Sequence, residues 1–233
     1  MTASIDMHAD AQAAIRLPED TVPASLAGTP PTRLMLLEPH ETLFFEGDEN
    51  EAAYEIVSGL ICLTTVTVDG RRQLLGLRFP GDVVGLSQAD EYECGAVAVG
   101  PTRVRRFARA TLDREIARDP KLAMRLVAAA CEEVRQSRRQ LLTVGRKCAL
   151  ERVATFLDEM RRRTSDDRRS VRIELSRTDI GDLLGLSIET VSRCFTRLRK
   201  MGVIDLPTHD LAIVRDVATL RALADGDADA IAA

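Results

Sequence analysis

The sequence predicts an α+β chain in two parts: an antiparallel β-roll running into a long helix, then a winged helix-turn-helix. Three observations predict it. Residues 34–109 are cut into short apolar runs by Gly, Asp and Pro turns, residues 119–146 switch to a seven-residue apolar repeat, and residues 176–202 hold two capped helices separated by a glycine turn. A chain of 233 residues has room for two compact domains, and 45% hydrophobic with 29% charged side chains is ordinary for a globular protein.

Residues 1–33 are rich in Ala, Asp and Pro. The Thr29-Pro30-Pro31-Thr32 run breaks any helix, so a flexible arm is expected there, with at most a short helix near Ala9–Ile15. The roll is expected over 34–118. Thr42-Leu43-Phe44-Phe45 stops at Glu46-Gly47-Asp48, Tyr54-Glu55-Ile56-Val57 at Ser58-Gly59, and Leu60–Val66 at Val68-Asp69-Gly70. Gln73–Leu77 is followed by a Pro80-Gly81-Asp82 turn and Val83-Val84-Gly85, and a last pair lies near Gly95–Val99 and Thr102–Phe107. Many short strands with Gly or Asp turns indicate an antiparallel barrel or sandwich.

From Asp119-Pro120 to Arg146 there is no glycine until Gly145. Ala123, Val127, Ala130, Val134, Ser137, Leu141 and Val144 recur alternately four and three residues apart, a heptad seam that suits a parallel two-stranded coiled coil and hence a homodimer. Its Ala content keeps open the alternative of a long helix packed on its own domain. Residues 147–233 form the last part. Cys148–Arg163 is a helix with Leu150, Val153, Phe156, Leu157 and Met160 on one face, and Arg161–Arg169 is a charged loop. Val171–Leu175, Val203–Leu206 and Leu211–Val214 are wing strands, and a short helix starts near Val217.

Within that part, Ser176 and Asp179 stand in a capping-box relation at the start of a helix that ends at Gly185. A second helix starts after Ser187 and stops at Gly202, with Val191, Cys194, Phe195 and Leu198 as its inward face. Gly181 permits close approach of the two helices and Gly185 a tight turn, while Ile180, Leu184, Leu186 and Val191 wedge the crossing. The outward face carries Glu189, Ser192, Arg193, Thr196 and Arg197, a mixture of acceptor, hydroxyl and guanidinium groups that suits the floor of a DNA major groove. Arg193 can pair bidentately with guanine, Glu189 can accept from the amine of cytosine or adenine, and Ile188 or Ser192 can meet a thymine methyl. Ser176, Arg177, Ser187, Thr190 and Arg197 are the candidates for phosphate. The formal net charge is −4, yet residues 146–215 hold fifteen Lys and Arg against eleven Asp and Glu, so the basic surplus coincides with the helix pair.

Five scattered cysteines without a Cys-x-x-Cys pair fit reduced thiols better than disulfides or zinc. No signal peptide or bilayer-spanning run is visible, and a cytoplasmic protein is expected. No Ser/His/Asp order, phosphate-cradling glycine loop or histidine pair at metal spacing supports an enzyme, and neither metal nor cofactor is expected.

Glu46-Gly47-Asp48, Tyr54-x-Ile56-Val57-Ser58-Gly59, the Pro80-Gly81-Asp82-x-x-Gly85 turn, the long helix and the winged helix together resemble the cyclic-AMP receptor protein/fumarate-nitrate regulator (CRP/FNR) superfamily over residues 34–216. Asp179-Ile180-Gly181-x-x-Leu184-Gly185-Leu186-x-x-Glu189-Thr190-Val191-Ser192-Arg193 is similar to the Glu-x-x-Ser-Arg class of FNR and FixK regulators. The resemblance implies a transcription regulator, an activator by subgroup, that binds as a dimer to a TTGAT-N4-ATCAA-like inverted repeat and contacts RNA polymerase.

Departures from the family bound the signal. The glutamate with which cyclic-AMP binders hold the ribose is Leu86 here, and their phosphate-holding Arg-Ser pair is Glu93-Cys94. No cysteine precedes Cys62, which argues against an iron–sulfur cluster, and His8, His40 and His209 are poorly placed for haem. The expectation is a FixK-like dimer active without a small molecule, with Cys94, in a loop, and Cys194, on the second helix, as candidate redox thiols. The alternative is a regulator whose DNA binding needs a ligand or haem.

Overall fold

The computed structural model describes residue 26 and residues 33–68, 70–87, 89–165, 167 and 169–226. Two four-stranded antiparallel sheets form the roll. One has the order β1 (Arg33–Leu37), β8 (Thr102–Ala108), β3 (Ala52–Ser58), β6 (Val83–Val84); the other runs β2 (Thr42–Phe44), β7 (Gly95–Ala98), β4 (Ile61–Val66), β5 (Arg72–Arg78). Alternating side chains from both sheets, among them Phe44, Ile56, Leu63, Ala96 and Val104, meet in one buried cluster. Each fully buried large apolar side chain contributes about 1.5–3 kcal/mol relative to exposure. Tyr92 stacks on Phe44 with ring centroids 3.8 Å apart and donates its phenol to the Ala52 carbonyl at 2.7 Å, so its one polar atom is satisfied inside the core.

Strands stand at each of the runs expected to hold one, and β1 is additional. So is α1 (Arg109–Arg118), placed at the end of the roll span. Its only apolar anchors are Leu112 and Ile116, four apart, which is too short a signal to separate it from the strand before it. Leu26 is buried between α1, β3 and α2, in the stretch expected to be a flexible arm; residues 1–25 and 27–32 lie outside those described.

Asp119 caps α2 (Pro120–Arg146) by accepting from the Lys121 N–H at 2.9 Å, and Pro120 occupies the first turn, where its missing N–H costs nothing. Leu122 and Leu126 pack α2 against the roll. The outer face is left open: Met124, Val127, Val134, Leu141 and Leu142 are each about half or more exposed. Of the expected seam, Val127, Ala130, Val134, Ser137 and Leu141 are exposed, whereas Ala123 and Val144 are partly covered within the same chain. The open stripe therefore drifts to Met124 and Cys131, because a straight 3.6-residue helix slips about 20° per heptad.

α3 (Ala149–Thr164) starts at Cys148, whose N–H donates to Glu151 at 2.8 Å. With α4 (Arg177–Leu184), α5 (Ile188–Lys200) and α6 (Val217–Asp225) it surrounds a core of Val153, Leu157, Ile180, Val191, Phe195 and Leu198. The wing is a three-stranded sheet, β10 (Ile204–Thr208), β11 (Leu211–Val214), β9 (Ser170–Arg172). β9 is shorter than expected: beyond it Ile173 keeps one bond, to the Asp210 carbonyl, and then the chain turns into the α4 cap. Arg161 is buried but paired with Asp158 at 2.6 Å, as a buried charge must be. Among the described residues, no helix is long and apolar enough to cross a membrane.

Candidate nucleic-acid interface

The two caps expected of the helix pair are in place. Ser176 Oγ accepts from the Asp179 N–H at 3.0 Å and donates to its carboxylate at 2.6 Å, and Ser187 Oγ accepts from the Thr190 N–H at 3.3 Å. Gly185 ends α4 with φ +63°, a left-handed conformation that costs glycine nothing. A Cβ on Gly181 would lie 2.6 Å from the Leu186 carbonyl oxygen, so only glycine lets the turn come this close.

With Val191, Cys194, Phe195 and Leu198 buried, the opposite face of α5 points away from the domain. Ile188, Glu189, Ser192, Arg193, Thr196, Arg197, Arg199 and Lys200 are all exposed on it. Ser192, Arg193, Thr196, Arg197 and Lys200 line an open depression of about 430 Å³. The four residues expected to reach base edges therefore share one surface. The Glu189 carboxyl is held below the usual carboxylate range, first by its own backbone N–H at the helix start, then by Ser187, with Arg193 adding a smaller pull. It is an acceptor at neutral pH, beside a guanidinium donor one turn on.

The five phosphate candidates separate. Ser176, Ser187 and Arg197 are exposed, and Thr190 is partly exposed with its hydroxyl 3.0 Å from that of Ser187. Arg177 is half-buried, its guanidinium 3.5 Å above the Phe195 ring and its Nη1 buried without a hydrogen-bond partner. This geometry turns Arg177 onto the back of α5 as a cation–π strut. Arg199 and Lys200, read from sequence only as the helix end, extend the cationic face. Their exposure follows from the same three- and four-residue spacing that buried Phe195 and Leu198.

The other concavity of interest lies in the roll. A cavity of about 280 Å³ is lined by Phe44, Leu63, Val84, Leu86, Tyr92, Glu93, Cys94 and, from α2, Ala130 and Glu133, among others. The lining includes two carboxylates and, among the described residues, no Lys or Arg. Glu133 is held by Arg78 at 2.7 Å from outside the cavity and Glu93 accepts from Ser87 at 2.7 Å. A cyclic nucleotide phosphate placed here would meet like charge and apolar walls, so the donor set does not fit one.

Both candidate redox thiols are covered, Cys194 as its place on the inward face of the second helix implies. Cys94 lies in the loop before β7, as expected, but is half-buried in that cavity wall instead of exposed, and burial, then the Glu133 charge, raises its pKa. Cys194 is buried and raised by the same cause, and Cys62 is pushed up to about 12. The shifts of Cys94 and Cys194 both run away from the lowered values that mark reactive thiols. The exposed cysteines are Cys131 on the outer face of α2 and Cys148 at the α3 cap. His40, in the turn before β2, takes φ +66°, and His209 is almost fully exposed on the wing; among the described residues no group of three His, Cys, Asp or Glu is placed to hold a metal.

Comparison with known proteins agrees with this geometry. The model of the Crp-like helix-turn-helix domain matches residues 151–223, and that of the cyclic nucleotide-binding domain matches residues 34–119. The chain is 38% identical over 185 residues to the nitrogen fixation regulation protein FixK of Azorhizobium caulinodans, covering 78% of this chain and 75% of that one. It is 37% identical over 190 residues to FixK of Bradyrhizobium diazoefficiens, covering 79% and 78%. Among solved structures, FixK2 from Bradyrhizobium japonicum superposes with a TM-score of 0.78 at 34% identity, over 82% of this chain and 96% of that one.

Proposed function

Since the chain belongs to the CRP/FNR family of transcription regulators and is FixK-like within it, we propose that it is a sequence-specific activator that binds as a homodimer to a TTGAT-N4-ATCAA-like palindrome in the cytoplasm, without a bound small molecule. The observation that carries this reading is the α5 face. Glu189, Ser192 and Arg193 are exposed together at the start of a rigid, capped helix whose other side is fully committed to the core.

Arg193 donates to guanine O6 and N7, Glu189 accepts from an exocyclic amine, and Ile188 or Ser192 covers a thymine methyl. Ser176, Ser187, Thr190, Arg197, Arg199 and Lys200 supply phosphate contacts that fix register. The apolar stripe of α2 is the dimer seam, which sets two α5 helices about one helical turn apart and so makes the site a palindrome. RNA polymerase is the partner once DNA is bound. Independence from a ligand is supported by the acid-lined roll cavity, whose carboxylates are already held by Arg78 and Ser87.

The test is affinity as a function of salt on three duplexes: the palindrome, one with the G·C pair of each half-site exchanged, and a scrambled sequence. The three cationic phosphate contacts per protomer, Arg197, Arg199 and Lys200, make six in the dimer and give a log–log salt slope of about −5. Each exchanged pair weakens binding by about 1–3 kcal/mol. Equal affinity for all three duplexes contradicts the reading.

A further inference from the structure

The last carbonyls of a helix have no partner within it, and in α4 the final three, of Asp182, Leu183 and Leu184, are each taken by a different part of the molecule. Gln73 Nε2, on β5 of the roll, donates to the Asp182 carbonyl at 2.8 Å. Gln140 Nε2, on α2, donates to the Leu183 carbonyl at 2.5 Å. Arg152 Nη1, on α3, donates to the Leu184 carbonyl at 2.9 Å. At the other end of α4, Arg72 of β5 forms an ion pair with Asp179, the residue that also closes the helix cap. The negative end of the α4 dipole is thus clamped by donors from roll, long helix and α3.

We propose that Gln73 and Gln140 are positioning residues for DNA recognition: through the α4 carbonyls they fix the α5 reading heads relative to the two-fold axis, and so set the half-site spacing the dimer accepts. The physical reason is lever geometry. α4 is tied to α5 by the close turn at Gly181 and Leu186, so a rotation of α4 on α2 carries α5 with it, and the opposite rotation in the partner doubles the change in spacing. Neither glutamine lies on the DNA-facing surface, and neither belongs to the apolar seam. Two donors from different domains onto adjacent carbonyls define an orientation that one bond would leave free to swivel.

This inference rests on the palindrome reading above. The test compares wild type, Gln140→Leu, Gln73→Ala and the double variant on a single half-site duplex and on palindromes with spacers of two to six base pairs, with melting temperature as a folding control. Gln140→Leu keeps the side-chain size and removes the donor. A net hydrogen bond is worth a factor of about three, so each single variant, which loses one bond per protomer, is expected to bind the four-pair spacer roughly tenfold more weakly, and the double variant, which loses two, roughly 80-fold more weakly. Its half-site affinity stays unchanged and its spacer preference flattens. Gln140→Lys, which restores a donor to the helix end, is expected to recover the preference.

Equal losses on half-site and palindrome, or variants indistinguishable from wild type, overturn the inference while leaving the palindrome reading intact. A wild-type chain that shows no preference for any palindrome overturns both.

Discussion

The roll cavity and the α5 face both gather polar side chains around open space, and they are built in opposite senses. In the cavity the carboxylates of Glu93 and Glu133 are each held from within the protein, by Ser87 and Arg78, and the rest of the wall is largely aromatic and aliphatic. On α5 the cationic and hydroxyl groups stand exposed while the apolar half of the helix is buried to the last residue. A polar site whose groups already satisfy one another has little to offer a ligand, whereas one left in solvent is available to a partner that can replace the water. In this chain the α5 face is left open to a partner, whereas the two carboxylates of the roll cavity already have donors from the protein itself.

The sharpest way to break this comparison is at the reading head. Arg193→Ala removes a bidentate donor at about 1–3 kcal/mol per half-site, so specific binding falls by about 30-fold to 10⁴-fold across the palindrome, with little change in binding to scrambled DNA. Titration by fluorescence anisotropy on both duplexes reads it. Thiol chemistry carries the comparison into the protein interior. Alkylation at neutral pH followed by peptide mass analysis is expected to label the exposed Cys131 and Cys148 first and the buried Cys62, whose pKa is pushed up to about 12, last.

A third change probes the turn that carries the head. Gly181→Ala drives a methyl to 2.6 Å from the Leu186 carbonyl oxygen and is expected to cost about 1–3 kcal/mol of stability, seen as a lowered unfolding midpoint. The smallest expected effect is the most diagnostic of the closed cavity. Millimolar cyclic AMP, or Glu93→Gln, leaves affinity for the palindrome within about twofold. A tenfold rise with the nucleotide contradicts the view that the pocket is shut to anions.

Much of this was legible in the residues. Ser176, Gly185, Ser187 and Gly202 announced the helix pair because caps and left-handed turns are local chemistry, and the buried set Val191, Cys194, Phe195 and Leu198 followed from spacing alone. Strand positions in the roll were readable from Gly and Asp turns for the same reason. What was illegible depends on contacts remote in sequence. Arg177 lies at the start of α4 and reads as a phosphate ligand until Phe195 is seen beneath it. Cys94 is the loop thiol its position suggests, but its partial burial beside Glu133 of α2 is a contact the sequence does not show. The seam drifts from Ala123 to Met124, and Gln73 and Gln140 show no pattern at all, since their partners are backbone carbonyls more than forty residues away in the chain.

The central claim is that the reading head works without an effector. The most direct test is equilibrium binding, with stoichiometry, of purified, reduced protein free of small molecules to a TTGAT-N4-ATCAA duplex and to the same duplex with one half-site scrambled, at physiological salt. The account predicts nanomolar-range binding of two chains per palindrome, weakened at least a hundredfold when one half-site is scrambled. Equal binding to both duplexes, or tight binding that arises only on addition of a small molecule, would contradict it.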